Sequence, residues 1–320
     1  ARIPRICFRV YWFLLFGYHL LRRRYALVHI HAAGSAFFRN AVYALIARLC
    51  LTKVLFHLHG TDWDSFYADV SPMRKSLIEA GLASANRIVV LYSRWAEEIR
   101  RLGTGTEVTV VRNFVHDSSL DDSSLVEAER RDLGLGPEDF VTLMVGSVGF
   151  RKGVFDILKA VPIAASRDSG VCFVLAGGEE EPGEMAQIKS IIKTEKLDRW
   201  VRVLGEVERA RVPGLLGLAG AFALPSYQEG MPISIIEALR AGVPVISSPV
   251  GGIPDMIEDG VSGILIPPGR PDLIAEAVLS LKHNAGLRAA LAQGGRRAFE
   301  DKFEFSKGID VLRGLYLSLC

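Results

Sequence analysis

From residue 25 onward, short and continuously apolar runs alternate with helix-like stretches. The first four runs are ALVHIH (26–31), KVLFHLH (53–59), RIVVLY (87–92) and EVTVVR (107–112). After a polar stretch, HDSSLDDSSLVEAERRDLG, the pattern resumes with FVTLMVGSV (140–148), VCFVLAGG (171–178) and VRVLGEV (201–207). It ends with AFALPS (221–226), PVISSPV (244–250) and SGILIPP (262–268), and helical patterns fit 152–167, 184–197, 233–241 and 272–282. A strand with one wet face alternates polar and apolar residues. Continuous hydrophobicity marks strands covered on both faces, and strand–helix repetition marks parallel pairing. The expected fold class is therefore α/β, with two doubly wound units that divide near residues 113–120. A length of 320 residues suits two domains.

The N-terminal unit is the smaller, with four candidate strands, and it begins with a helix. A doubly wound half normally opens with a strand and a glycine-rich turn. Residues 1–25 supply neither, so the opening strands of this unit are expected to be missing. VYWFLLFGYHLL (10–21), between Arg9 and Arg22–Arg24, is too short to cross a bilayer and is followed by arginines instead of a small-residue cleavage site. A helix apolar on every side is expected in a core, with contact at a membrane interface as the second reading. Charge supports that second reading. Residues 1–61 hold nine Lys/Arg and no acid, the first being Asp62, whereas the remainder holds 29 Lys/Arg against 36 Asp/Glu. Such a split points to an anionic surface, here a membrane. Nucleic acid is disfavoured because no helix-turn-helix, zinc-finger or RNA-binding signature accompanies the charge. Cys7, Cys50, Cys172 and Cys320 are widely spaced and read as reduced, small hydrophobes of a cytosolic protein.

The chemistry concentrates in SYQEGMPISIIEALRAGVPVISSPVGGIP (226–254). In open α/β sheets ligands lie beyond the carboxyl ends of the strands. YQEGMP follows such an end, and Pro232 suits the first position of the next helix. Free amides at that helix start favour phosphate. A carboxylate beside phosphate would be repelled, so Glu229 is better matched to hydroxyls, of which it can accept two at once. Glu237 lies more than a turn further in, within reach of a second polyol such as ribose. Gly230 lets the backbone approach the ligand. Sugar, pyrophosphate and ribose together describe a nucleotide-sugar site.

These residues resemble the E-x7-E motif of retaining glycosyltransferases of family 4, which have the two-Rossmann GT-B fold. The resemblance continues through LPSYQEGMPISIIEALRAGVPVISSPVGGIPDMIEDGVSGILIPPGRPDLIAEAV and upstream in VGSVGFRKGVFDILKA, VRVLGEV, HLHGTDW and ALVHIH, covering roughly residues 25–315. It implies two Rossmann-like domains facing a cleft: an N-terminal acceptor-side domain over 1–115, truncated at its start, and a C-terminal donor domain over 116–303. Residues 304–320 would form a last helix that crosses back to the first domain. It also implies that Glu229 holds donor-sugar hydroxyls and Glu237 the ribose. Gly230 and Met231 would offer amides to sugar or phosphate, with Ile233 beside them in the donor site. Lys152 would neutralise the departing diphosphate, and His59 would project toward the anomeric centre. Gly146, Ser147 and Arg151 would meet phosphate, and the base would pack near Val203–Val207, with Gly205 and Val207 in the donor site. Two positions depart from the family. Ser147 stands where many members carry a second phosphate-binding arginine, which Arg151 would replace from the neighbouring turn, and Pro232 lacks an N–H.

The resemblance implies transfer with retention from a nucleoside-diphosphate sugar, without metal or other cofactor. The acceptor would be a glycan or lipid-linked glycan in polysaccharide or lipopolysaccharide assembly, at the cytoplasmic face of the membrane. Three other readings fit parts of the chain. One is a non-catalytic nucleotide-sugar-binding remnant, on account of Ser147 and the missing strands. Another is a nucleotide-sugar epimerase of the same fold. The third is a metal hydrolase built on the H-x-H pairs His29/His31 and His57/His59, whose members share strand faces. Only His116 and His283 follow later, so no further ligand cluster completes such a site, and His29 and His31 read as core or crevice-lining residues.

Overall fold

The computed structural model describes residues 5–34, 36–60, 63–117 and 123–320. The chain divides into two compact units, one reaching to Asn113 and including Gly308–Cys320, the other Phe114–Lys307. Thr61 and Asp62 of HLHGTDW, and the side chain of Cys7, lie outside the described residues.

In the N-terminal unit four parallel strands run in the order β1-β2-β3-β4: β1 Leu27–Ala32, β2 Lys53–Leu58, β3 Arg87–Val90 and β4 Val108–Val110. β2, β3 and β4 fall within their apolar runs, and β1 overruns its own by one residue, Ala32. β2 is buried at every position after Lys53, as its unbroken hydrophobicity requires. Helices Ala36–Leu49, Pro72–Ser84 and Ser93–Arg101 connect the strands. Phe37, Phe56, Ile78, Leu82 and Ile88 form the core between helices and sheet.

The apolar N-terminal segment forms the helix Arg5–Arg23, and here the core expectation is corrected. Leu20 is buried, but Tyr11, Trp12, Leu14, Tyr18 and Leu21 are exposed. Among the described residues its ring contacts to another helix are with Ala36–Leu49, where Phe13 and Phe16 pack edge-on against Tyr43 at separations of 4.8 and 4.9 Å. One helical neighbour covers one stripe, whatever the composition of the other faces.

In the second unit six parallel strands run in the order β10-β9-β8-β5-β6-β7. They are β5 Phe140–Val145, β6 Val171–Ala176, β7 Val201–Gly205, β8 Ala221–Leu224, β9 Val245–Ser247 and β10 Ile264–Leu265, again one in each apolar run. The chain winds outward from β5 through β6 and β7, then returns to add β8 on the other side of β5. That reversal opens a crevice beyond the carboxyl ends of β5 and β8. Phe173, Val174, Phe222 and Leu224 are fully buried under helices Val154–Arg167, Ile233–Arg240 and Pro271–His283. Cys172 is buried as expected of a small hydrophobe, while Cys320 is exposed, and both are free thiols. No described helix is long and apolar enough to cross a membrane.

Candidate active site

At the carboxyl ends of β5, β6 and β7 lies a 440 Å³ cavity. Gly146, Val207, Ile233 and Glu237, all selected from sequence, line it, together with Glu206 and Arg209. Gly205 closes β7 and accepts a backbone hydrogen bond from Gly177 at 2.7 Å, which holds the two strand ends level around the opening. Ser147 is half-buried in the turn after β5. The first helical residue after β8 is Ile233, and Pro232 is the extended cap before it (φ −68°, ψ 122°). Pro232 therefore sits one place earlier than expected, so the first free amide of the helix belongs to Ile233 at the cavity wall.

Glu229 occupies the loop that leads into this helix and is 3% exposed. An isolated carboxylate at such depth would be costly, and three partners offset that cost. Lys152 donates to Oε1 at 2.5 Å, Ser226 Oγ donates to the same oxygen at 2.9 Å, and Arg151 lies 3.9 Å from Oε2. Arg151 is itself fixed, through Nε to Glu180 at 2.6 Å and through Nη1 to the Gln228 carbonyl at 2.9 Å. Two turns remote in sequence thus form one charged cluster.

Two glycines permit the approach. Gly153 has φ +74°, and a Cβ there would lie 2.2 Å from the Pro225 carbonyl oxygen. Gly251 has φ +55°, and its Cβ would lie 1.8 Å from the Glu229 carbonyl oxygen. Both positions require the left-handed conformation that glycine adopts without penalty. The turn carrying Arg151 and Lys152 can therefore press on the β8 loop, and the loop after β9 can press on its other side. Gly230 and Met231 are buried between these layers, and Gly230 accepts from the Gly252 amide at 2.7 Å.

Glu237 is half-buried, with Arg209 at 3.8 Å. Burial pushes its carboxyl upward from the ordinary value, opposed by the charges of Arg209 and Arg240. Arg209, Ser226 and Glu180 were not selected from sequence. Ser226 stood three residues before Glu229 in the stretch that was, whereas Arg209 lies in the VERAR segment, which carries no spacing signal of its own.

His59 belongs to the N-terminal unit, where its Nε2 lies 2.7 Å from His31 Nδ1. β1 and β2 pair in register, His31 opposite His57, which gathers His29, His31, His57 and His59 on one face. His57 is buried, His29 and His59 are half-buried, and His31 is exposed; of the two readings of His29 and His31, core or crevice-lining, the second holds, since both line a cavity. Burial is the main cause that lowers all four imidazole pKa values, His29 to about 4 and His57 to about 2, and charge on the neighbouring rings adds to it for His29, His57 and His59.

A parallel four-stranded unit and a doubly wound six-stranded unit, with a charged cluster and a cavity at the strand ends of the second, fit the GT-B fold. The family model for glycosyl transferases group 1 matches residues 126–298, and the chain belongs to that family. It is 27% identical to the alpha-D-kanosaminyltransferase of Streptomyces kanamyceticus over 316 residues, 95% of this chain and 80% of that one. It is 21% identical to the N-acetyl-alpha-D-glucosaminyl L-malate synthase of Bacillus anthracis, over 92% of this chain and 75% of that one. Among solved structures, Anabaena HepE in complex with UDP superposes with a TM-score of 0.82 at 18% identity, covering 95% of this chain and 81% of that one. Sucrose-phosphate synthase from Thermosynechococcus elongatus gives 0.79 at 20% identity, covering 100% and 80%.

Proposed function

We propose that this glycosyltransferase moves a sugar from a nucleoside-diphosphate-sugar donor to an acceptor hydroxyl, with retention at the anomeric carbon. The observation that carries the reading is the buried Glu229, held by Lys152 and Ser226 on the loop entering the helix whose first turn and Glu237 line the cavity. Crystal structures of Anabaena HepE with UDP and with UDP-glucose support the donor class.

In this reading Glu237 accepts from the ribose hydroxyls and the base packs beside Gly205 and Val207. The diphosphate meets the Ile233 amide, Gly146 and Ser147, where the helix start favours negative charge. Glu229 accepts from the donor sugar's hydroxyls. His59, from the N-terminal unit, is assigned to the anomeric end. As the anomeric carbon–oxygen bond breaks, charge grows on the departing diphosphate, where Lys152 and Arg151 stabilise it. The acceptor oxygen bonds to the same face of the anomeric carbon, and its proton passes to a diphosphate oxygen. This transfer step uses cationic side chains for neutralisation and draws on no metal. The acceptor is a glycan or lipid-linked glycan of cell-surface polysaccharide or lipopolysaccharide assembly. The protein meets it at the cytoplasmic face of an anionic membrane, through exposed apolar side chains such as Trp12, Leu14 and Leu21 and through Arg22 and Arg23.

Incubation with a panel of UDP- and GDP-sugars, followed by NMR of the sugar first transferred or released, tests the assignment. An anomer matching the donor is expected. First-formed product of inverted configuration, or a panel bound but left unturned, contradicts it, and an epimerised donor would identify an epimerase instead.

A further inference from the structure

The four-histidine face of the N-terminal unit has no part in the donor pocket, apart from the role assigned to His59. Two parallel strands in register bring its rings into one stack, with centroids 4.1 Å apart for His29–His31, 5.0 Å for His31–His57 and 4.2 Å for His57–His59. Hydrogen bonding between the rings does not account for them all. His29 Nε2 faces His57 Nδ1 at 3.2 Å, which leaves His57 Nε2 buried and without a partner among the described residues. Either tautomer of His57 leaves that nitrogen unsatisfied, as an orphaned donor or an orphaned lone pair. The close approach of these rings is therefore not explained by mutual hydrogen bonding alone.

We propose that His29, His31 and His57 bind one late first-row divalent transition-metal ion, of which zinc is the type. This goes beyond the donor-site reading and does not depend on it. One ring nitrogen from each of the three lies within 4.8 Å of the other two. Two nitrogens on a tetrahedral zinc, each at about 2.05 Å, stand about 3.3 Å apart. The His29–His57 separation of 3.2 Å already matches that edge, and modest rotation of the rings brings the third nitrogen in. Imidazole donors with no carboxylate among them favour zinc, cobalt, nickel or copper over magnesium or calcium.

Two of the three rings have the outer contact that a metal-ligating histidine needs, whereas His57, with Nδ1 toward the ion, keeps Nε2 unpartnered among the described residues. The second nitrogen of such a ligand is usually held by a hydrogen-bonding partner, which fixes tautomer and ring orientation. Tyr316 OH lies 2.6 Å from His29 Nδ1, and His59 Nε2 lies 2.7 Å from His31 Nδ1. A route for the ion exists, because His29 and His31 line a 710 Å³ cavity beside Arg5–Arg23.

The test uses the full chain stripped of metal by a chelating resin. Zinc is titrated in competition with a chromophoric chelator, and cobalt(II) is followed by its visible absorption. One equivalent is expected, with the intense cobalt bands of low coordination number. His29→Gln and His57→Gln should each weaken binding at least about tenfold, and Tyr316→Phe about tenfold through loss of the outer contact. His283→Gln should leave binding unchanged. If His57→Gln does not fold, the half-buried His29 carries the test, with thermal melting as the check on its fold. Absence of stoichiometric binding, or binding indifferent to His29→Gln, overturns the proposal.

Discussion

Glu229 and Lys152 stand 77 positions apart and meet at 2.5 Å. Each neutralises the other in a buried place, so removing one partner strands a charge, which costs about 3–5 kcal/mol in other proteins. Lys152→Ala should therefore lower the melting temperature and also reduce kcat by about 10²–10³, the usual loss on deleting a donor to developing charge. The double variant Lys152→Ala/Glu229→Gln separates the two effects: melting should recover and turnover should not. Full turnover in Lys152→Ala would remove the lysine from the chemistry. Glu237 allows a pH prediction. Its folded-state pKa is raised by burial, so protonation begins above the ordinary carboxylate range. The protonated acid accepts ribose hydroxyls poorly, hence donor affinity should weaken as pH falls toward that raised value and stay level above it. Glu237→Gln should flatten the acid limb, and titrations of nucleotide at several pH values in both proteins would show it. An acid limb unchanged in the variant would assign the titration to another group.

At the scale of elements, the ten strands among the described residues were legible, most plainly β2, β6, β8 and β9, which are covered on both faces and so are apolar almost throughout. What a helix packs against was not. The segment 10–21 looked like core because every face is apolar, yet apolarity says nothing about how many neighbours arrive. The structure supplies Tyr43 on one side and leaves Trp12, Leu14 and Leu21 exposed. The histidine face was half legible. The alternation of His29/His31 and His57/His59 was plain, but their meeting depends on the register that sets His31 opposite His57. The exposed face of Arg5–Arg23 carries a prediction of its own. The protein should cosediment with phosphatidylserine vesicles at low ionic strength and be released by salt. Leu14→Ser/Leu21→Ser should weaken the association at every salt concentration. A protein that stays in the supernatant with anionic vesicles at low salt would contradict the membrane reading.

For the molecule as a whole, fold class followed from strand–helix alternation alone, whereas the activity required the E-x7-E stretch in its surroundings. The charged cluster and much of the cavity wall were drawn from the sequence because their residues lie in short turns, chiefly those around Lys152 and Glu229. Ser226, Glu180 and Arg209 were not, since each acts through a contact that only the folded sheet creates. The account rests on a division of labour between two carboxylates along one loop and helix. Parallel measurement of nucleotide affinity and sugar transfer in Glu229→Ala and Glu237→Ala tests it most directly. Glu229→Ala should bind UDP or GDP about as the parent does while transferring no detectable sugar. Glu237→Ala should lose about 10- to 100-fold in nucleotide affinity, the equivalent of one charge-assisted hydrogen-bond pair. Normal transfer by Glu229→Ala, or nucleotide affinity unmoved in Glu237→Ala, would contradict the assignment.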